Sequence, residues 1–264
     1  MPQVTNLSLT KQQQAILHEL YRFRFLNSSL LVKLLGTSNV IRMNERLKLL
    51  SQNKYISRRY EPSYKLLHKP ASYYLLPLGR ASLKAMDAKY SEQALRIARR
   101  DATRTDKFIE RCLALAELAV LLTAPHTKVF TKSQLVRYGY FPQPLPDLYI
   151  QLKTNSGVQQ YLLEYLESNQ PLNAILKSVK RYLQYSDEGE WEVTGTRLPP
   201  VLLVCDSALL EKRVQKYGMT VIEEADDEVL RFYTACIPAI TDKANRPWTS
   251  LQDLDEQLEL KEIR

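Results

Sequence analysis

The feature that most constrains this chain is residues 145–185, LPDLYIQLKTNSGVQQYLLEYLESNQPLNAILKSVKRYLQY. Two β-prone runs flank the turn residues Thr154, Asn155, Ser156 and Gly157, and a helical run follows. A hairpin folded about Asn155 and Ser156 pairs residues whose numbers sum to about 311. Asp147, after Pro146, and Glu164 satisfy that sum. Directly opposed residues stand roughly 5 Å apart. Two carboxylates at that spacing either share a cation or repel one another.

Charge divides the chain. Up to Arg111 there are 21 Lys/Arg against 8 Asp/Glu, and the remainder holds 16 against 21, so the overall +8 conceals a basic first part and an acidic second part. The basic part calls for a polyanion, with nucleic acid ahead of a membrane surface. No apolar run approaches the roughly 18 residues a membrane span needs, and the start of the chain has no apolar signal core. Cys112, Cys205 and Cys236 are odd in number and widely spaced, which predicts buried reduced thiols and a cytoplasmic location. Seven glycines leave no phosphate-binding loop, and no nucleophile elbow is present.

Residues 9–25 predict an amphipathic helix with Thr10 as N-cap and Ile16, Leu17, Leu20 and Phe23 on one face. Asn27, Ser28 and Ser29 predict the start of a second helix that ends at Gly36. Thr37 or Ser38 is the expected cap of a third, with Val40, Met43, Leu47 and Leu50 inward. Two β-rich segments, 55–60 and 71–76, follow around a basic loop, and Gly79 closes the unit. Residues 91–122 predict one long helix, charged in its first half and apolar in its second. Its arginines either extend a nucleic-acid face or pair with Asp101, Asp106 and Glu110.

After Pro125 the texture changes to short β-prone runs, TKVFT, PDLYIQL, QQYLLEYLE, PPVLLVCD and GMTVIEE, with helices expected at 172–185 and 207–217. This order predicts an α/β domain with a mixed sheet, and the acidic tail 250–264 reads as a surface helix.

The order of three helices and a two-stranded wing over residues 8–85 resembles a winged helix-turn-helix domain. The resemblance implies that the third helix enters the major groove of double-stranded DNA. It makes Ser38, Asn39, Arg42, Arg46 and Lys48 the candidate contacts on that helix, and Arg58, Arg59, Lys65, His68 and Lys69 the candidate phosphate contacts on the wing.

The hairpin and helix resemble the PD-(D/E)xK nuclease-like, or restriction-endonuclease-like, core, with Pro146-Asp147 as the "PD" and Glu164 as the second acid. That resemblance implies Mg²⁺ held by Asp147 and Glu164, with the metal activating water. The lysine expected two residues after the second acid is replaced by Leu166. Lys180, with Lys177 as substitute, stands on the following helix as the candidate catalytic cation.

The combination resembles the replication-relaxation family of plasmid and conjugative-element proteins. The overall expectation is an α+β chain: a winged-helix DNA-binding domain at 1–88, a connecting helix at 89–124 and a nuclease-like α/β domain at 125–264. Three functions stay open. One is DNA binding in plasmid replication or conjugal transfer, with a degenerate nuclease-like domain kept for assembly. The second is a Mg²⁺-dependent DNA nickase or endonuclease using Asp147, Glu164 and Lys180. The third is a transcriptional regulator with a C-terminal dimerisation domain. Expected partners are double-stranded DNA, then a second copy of the chain or other replication or transfer proteins, and no membrane.

Overall fold

The computed structural model describes residues 9–67, 69–155, 157–225, 229–242 and 247–259. Two compact units emerge, Met1–Val120 and Leu121–Arg264. His68, one of the wing candidates, and Ser156 of the hairpin turn lie outside the described residues.

The first unit opens with helix α1 (Lys11–Phe23). Thr10 and Gln13 form a capping box, each side chain bonded to the other's backbone N–H. Ile16, Leu17, Leu20 and Phe23 are buried as the spacing predicts. Strand β1 (Leu26–Asn27) leads into α2 (Ser28–Leu34), where Asn27 Oδ1 accepts the Leu30 N–H at 2.8 Å. Helix α3 (Val40–Gln52) is capped by Asn39, whose Oδ1 accepts the Arg42 N–H at 2.9 Å, so the helix starts one to two residues later than Thr37 or Ser38 would place it. Met43, Leu47 and Leu50 are buried, but Val40 is 44% exposed. At the first helical position it has no preceding turn to hold it against the core.

Strands β2 (Ile56–Arg59) and β3 (Ser72–Leu75) form an antiparallel hairpin, with α4 (Pro62–Leu66) in its loop. β1 adds to the other edge of β3, giving the order β1-β3-β2. Helix α5 (Pro77–Met86) packs so closely on Tyr55 that a Cβ at Gly79 would lie 2.2 Å from the Tyr55 carbonyl oxygen, which admits only glycine.

The long helix expected over 91–122 is three pieces: α6 (Glu92–Ile97), a 3₁₀ turn (Ala98–Thr103) and α7 (Asp106–Leu122). The Thr105 hydroxyl accepts the Phe108 N–H at 3.3 Å and so starts a new helix. Asp101, buried in the break, pairs with Arg24 rather than with a neighbouring arginine.

The second unit is built on a seven-stranded mixed sheet, ordered β10-β9-β8-β7-β6-β5-β4. Its elements in chain order are β4 (Thr127–Thr131), α8 (Lys132–Leu135), β5 (Leu148–Thr154), β6 (Gly157–Leu166) and α9 (Leu172–Glu188). Then come β7 (Val201–Cys205), α10 (Ala208–Ala225), β8 (Phe232–Cys236), α11 (Ile237–Thr241), β9 (Pro247–Ser250) and β10 (Gln257–Glu259). β5 runs antiparallel to both its neighbours, β4 and β6; β6, β7 and β8 are parallel; and β9 and β10 return antiparallel. Helices α9 and α10 make the two parallel crossovers, as such connections require.

Two expectations fail here. GMTVIEE is the last two turns of α10, because Val214, Gly218, Val221 and Ile222 recur at helical spacing and are buried against the unit's core. The described part of the tail contributes a strand, β10, which folds back on β9, itself paired with β8, while residues 260–264 lie outside the described residues. The Ser250 hydroxyl accepts the Gln252 and Asp253 N–H groups, which turns the chain between them. The three cysteines are buried and none forms a disulfide among the described residues.

Candidate functional site

The hairpin register is the expected one. Thr154 faces Gly157 and the ladder runs to Leu148 opposite Leu163, every pair summing to 311. Asp147 and Glu164 stand one step beyond the last pair, on the sheet face that also carries Tyr149 and Leu162. β4 brings a third strand into this row. Its pairing with β5 ends at Thr131 opposite Leu148, so Lys132 follows in line with Asp147.

Both acids are engaged by the protein itself. Lys132 Nζ lies 2.8 Å from Asp147 Oδ1, and the Tyr165 N–H donates to Asp147 Oδ2 at 2.9 Å. Glu164 Oε1 accepts from Arg181 Nη2 and from the Tyr182 hydroxyl, each at 2.7 Å. Asp147 is 1% exposed at its side chain and Glu164 11%, whereas Lys132 keeps 48%. Two carboxylates thus meet two cations, and the cluster is formally neutral.

Burial pushes the Glu164 carboxyl up, Asp147 pushes it further, and Lys132, Arg181 and the Tyr182 hydrogen bond oppose the rise. Burial, then the Glu164 charge, drives the Tyr182 hydroxyl well above its ordinary value. The Tyr182 ring is fully buried and its hydroxyl is committed as a donor to Glu164. Leu166, where the resemblance looks for a lysine, is buried.

The expected catalytic lysines do not come to this cluster. Lys180 Nζ lies 3.8 Å from Glu224 of α10, both side chains about 60% exposed, and Lys177 lines the same groove between α9 and α10. The α9 stripe of Ile175, Val179, Tyr182 and Leu183 shows in the sequence and places Tyr182 inward. Which cation beside the stripe reaches the acids depends on how the helix crosses the strands, and it is Arg181. Lys132 left a weaker signal, since the β4–β5 register is set across a long connection rather than a tight turn.

Mg²⁺ would compete here with the protein's own cations. Both Asp147 oxygens and Glu164 Oε1 are bonded to Lys132, the Tyr165 N–H, Arg181 and Tyr182, so an ion bridging the acids through them would have to displace two cations. Among the described residues no group of three His, Cys, Asp or Glu side chains is placed to hold a metal.

In the first unit, Ser38, Asn39, Arg42 and Lys48 are exposed at or along α3, and Arg46 is half-buried. The Asn39 carbonyl oxygen is already used as the helix cap. Arg58 lies 4.4 Å over the Tyr60 ring with its outer face in solvent, and Lys65 is exposed on α4. Arg59 and Lys69 are drawn onto acids instead: Arg59 onto Glu61 at 3.0 Å and Asp106 at 3.5 Å, Lys69 onto Glu110 at 2.6 Å. No described helix is long and apolar enough to cross a membrane.

Comparison with known proteins adds three findings. Among solved structures, the restriction endonuclease FokI is matched both free and bound to DNA, at TM-scores of 0.33 and 0.32 and 12% identity. The match covers 89% of this chain, which spans 45% of the FokI chain. No curated protein matches. A family profile described as Replication-relaxation matches residues 17–198, from α1 through the acid cluster to the approach of β7. The chain belongs to the replication-relaxation family.

Proposed function

We propose that this is a duplex-DNA-binding protein serving replication or transfer of a mobile element. The first unit acts as a winged helix-turn-helix reader, and the second acts as a nuclease-like domain used for assembly rather than cleavage. The observation that carries this reading is the outward surface of α3 and the β2–β3 hairpin. Ser38, Arg42, Lys48, Arg58 and Lys65 all reach solvent there, in the part of the chain with the strong positive balance. The N-terminal half of α3 has no acidic residue in its first turn, which suits it to a phosphate-rich groove. Ile41, 73% exposed among these polar neighbours, offers an apolar contact for a thymine methyl group.

The non-cleaving reading of the second unit is supported by the neutralised acids. Lys132 and Arg181 leave Asp147 and Glu164 with no net charge to attract a divalent ion. The alternative, Mg²⁺-dependent nicking through Asp147 and Glu164, draws its support from Lys132 standing beside Asp147 with its amine half in solvent.

Two measurements test the proposal. Duplex binding at 50 mM salt is expected, weakened tenfold or more in Arg42→Ala. No binding there, or binding indifferent to both salt and Arg42, sinks the reader. Supercoiled plasmid incubated with Mg²⁺ or Mn²⁺ is expected to remain intact. Nicking that disappears in Asp147→Ala would establish the nuclease instead.

A further inference from the structure

A second concavity opens on the same sheet face as the acid cluster, farther along the strands. Its volume is about 220 Å³, and Tyr138, Tyr140, Tyr149, Trp191, Gln151 and Gln160 are the lining residues that matter. Ligand pockets for drug-sized molecules start at roughly 300 Å³, so this one suits a single planar ring system.

Its floor is aromatic and rigid. Tyr149 and Trp191 are buried, and Phe141 lies between them with ring centroids at 5.2 Å from each. Trp191 meets Tyr140 edge-on at 5.5 Å and 83°, and its indole N–H is satisfied by Thr196 at 3.0 Å. The rim is open: Tyr138 is 42% exposed and tilts toward Tyr140 at 5.7 Å.

The polar wall comes from the strand register. Lys128, Gln151 and Gln160 occupy one cross-strand row of β4, β5 and β6, two residues along from the row holding Phe130, Tyr149 and Leu162. Directly opposed residues share a face. One amide pair therefore borders the aromatic floor, with a lysine beyond it on the edge strand. Arg137, 5.5 Å over the Tyr138 ring, adds a second cation at the rim.

Stacking surface, amide donors and acceptors, and two peripheral cations are the chemistry of an unpaired nucleobase with its phosphates. We infer that this pocket holds one unpaired base of a single-stranded DNA segment. The inference rests on the reading of the protein as a DNA-binding one. The second unit is acidic overall, so affinity here comes from the base more than from the backbone. Salt dependence at this site is accordingly shallow, in contrast to the duplex reader.

The test uses the full chain and a fluorescein-labelled 12-nucleotide thymidine oligomer, followed by anisotropy, with an abasic 12-mer as control. The oligomer is expected to bind at least tenfold more tightly than the abasic strand. Tyr138→Ala should cost about tenfold, and Gln160→Leu several-fold. Tyr138→Phe, which keeps the ring, should bind like the parent. Equal binding of the abasic strand, an unchanged Tyr138→Ala affinity or no binding of the oligomer overturns the inference. Displacement by dTMP as effective, base for base, as by the oligomer assigns the pocket to a free nucleotide and overturns the strand. Duplex affinity measured on the same proteins reports the first unit separately, so its loss would count against the DNA-binding reading alone.

Discussion

The two units treat charge in opposite ways. In the second, Asp147 and Glu164 are buried and each is met by a cation. In the first, Arg42 and Lys48 of α3 and Arg58 and Lys65 remain in water. A buried charge requires its counter-charge inside the protein, because desolvation is otherwise too costly. An exposed charge retains its field and its hydration, and can exchange counter-ions for phosphates. The lesson is that conspicuous carboxylates in a sequence are met in the fold by counter-charges that the sequence pattern does not reveal. The first unit also shows the limit of counting charges. Arg59 and Lys69, read as phosphate contacts, are held by Glu61, Asp106 and Glu110.

The sharpest way to break this comparison is salt. If about four or five α3 and hairpin cations contact phosphates, duplex affinity should fall by roughly two orders of magnitude between 50 and 200 mM salt. A flat salt titration by anisotropy would remove the distinction between the units.

Next is the buried cluster. Arg181→Ala leaves Glu164 short of a counter-charge and should destabilise the second unit by about 2–4 kcal/mol, read by urea denaturation, with duplex affinity unchanged. A loss of duplex affinity with stability intact would make the cluster part of the binding surface.

pH gives two smaller effects. Burial depresses the His18 pKa to about 4, with Arg22 and then Lys89 adding to the fall. The unfolded chain therefore takes up a proton on His18 below about pH 6.5 while the folded one does not. Stability from His18 is present above that pH and is lost as pH falls toward 4. By pH 5 the loss should be about 1–2 kcal/mol, allowing for partial exposure, and His18→Gln should flatten it. Glu164 runs the other way. Its folded pKa is raised, so the folded state keeps the proton longer and stability falls as pH rises above the usual carboxylate range. Glu164→Gln should gain on the parent as pH climbs from 4.5 to 7.5. A gap that shrinks over that range would mean the ion pairs outweigh burial.

The smallest effect is at the expected catalytic lysines. Lys180→Ala removes an exposed pair with Glu224 and should change stability by less than about 1 kcal/mol and DNA binding not at all.

The hairpin register was fully legible, because a short turn with Gly157 at φ +137° fixes which residues face each other. The first two helices of the first unit and their caps were legible too, whereas the third starts at an Asn39 cap instead of Thr37 or Ser38. The run GMTVIEE was misread because Val221 and Ile222 favour strands locally, while their burial with Val214 against the sheet rewards a helix. The single helix expected over 91–122 is broken where Thr105 caps a new start and Asp101 pairs with Arg24, the C-cap of α1, contacts that the helical pattern alone does not reveal.

The sequence by itself determined the basic and acidic halves and the opposed acids, since each follows from composition or a short turn. Only the tertiary structure decided which cations meet those acids. Lys132, the first residue of α8, follows a strand whose register is set across a long connection, and Arg181 is placed by the angle at which α9 crosses the sheet. Local pattern carries no information about either, and on them turns whether the acid pair attracts a metal or is already satisfied.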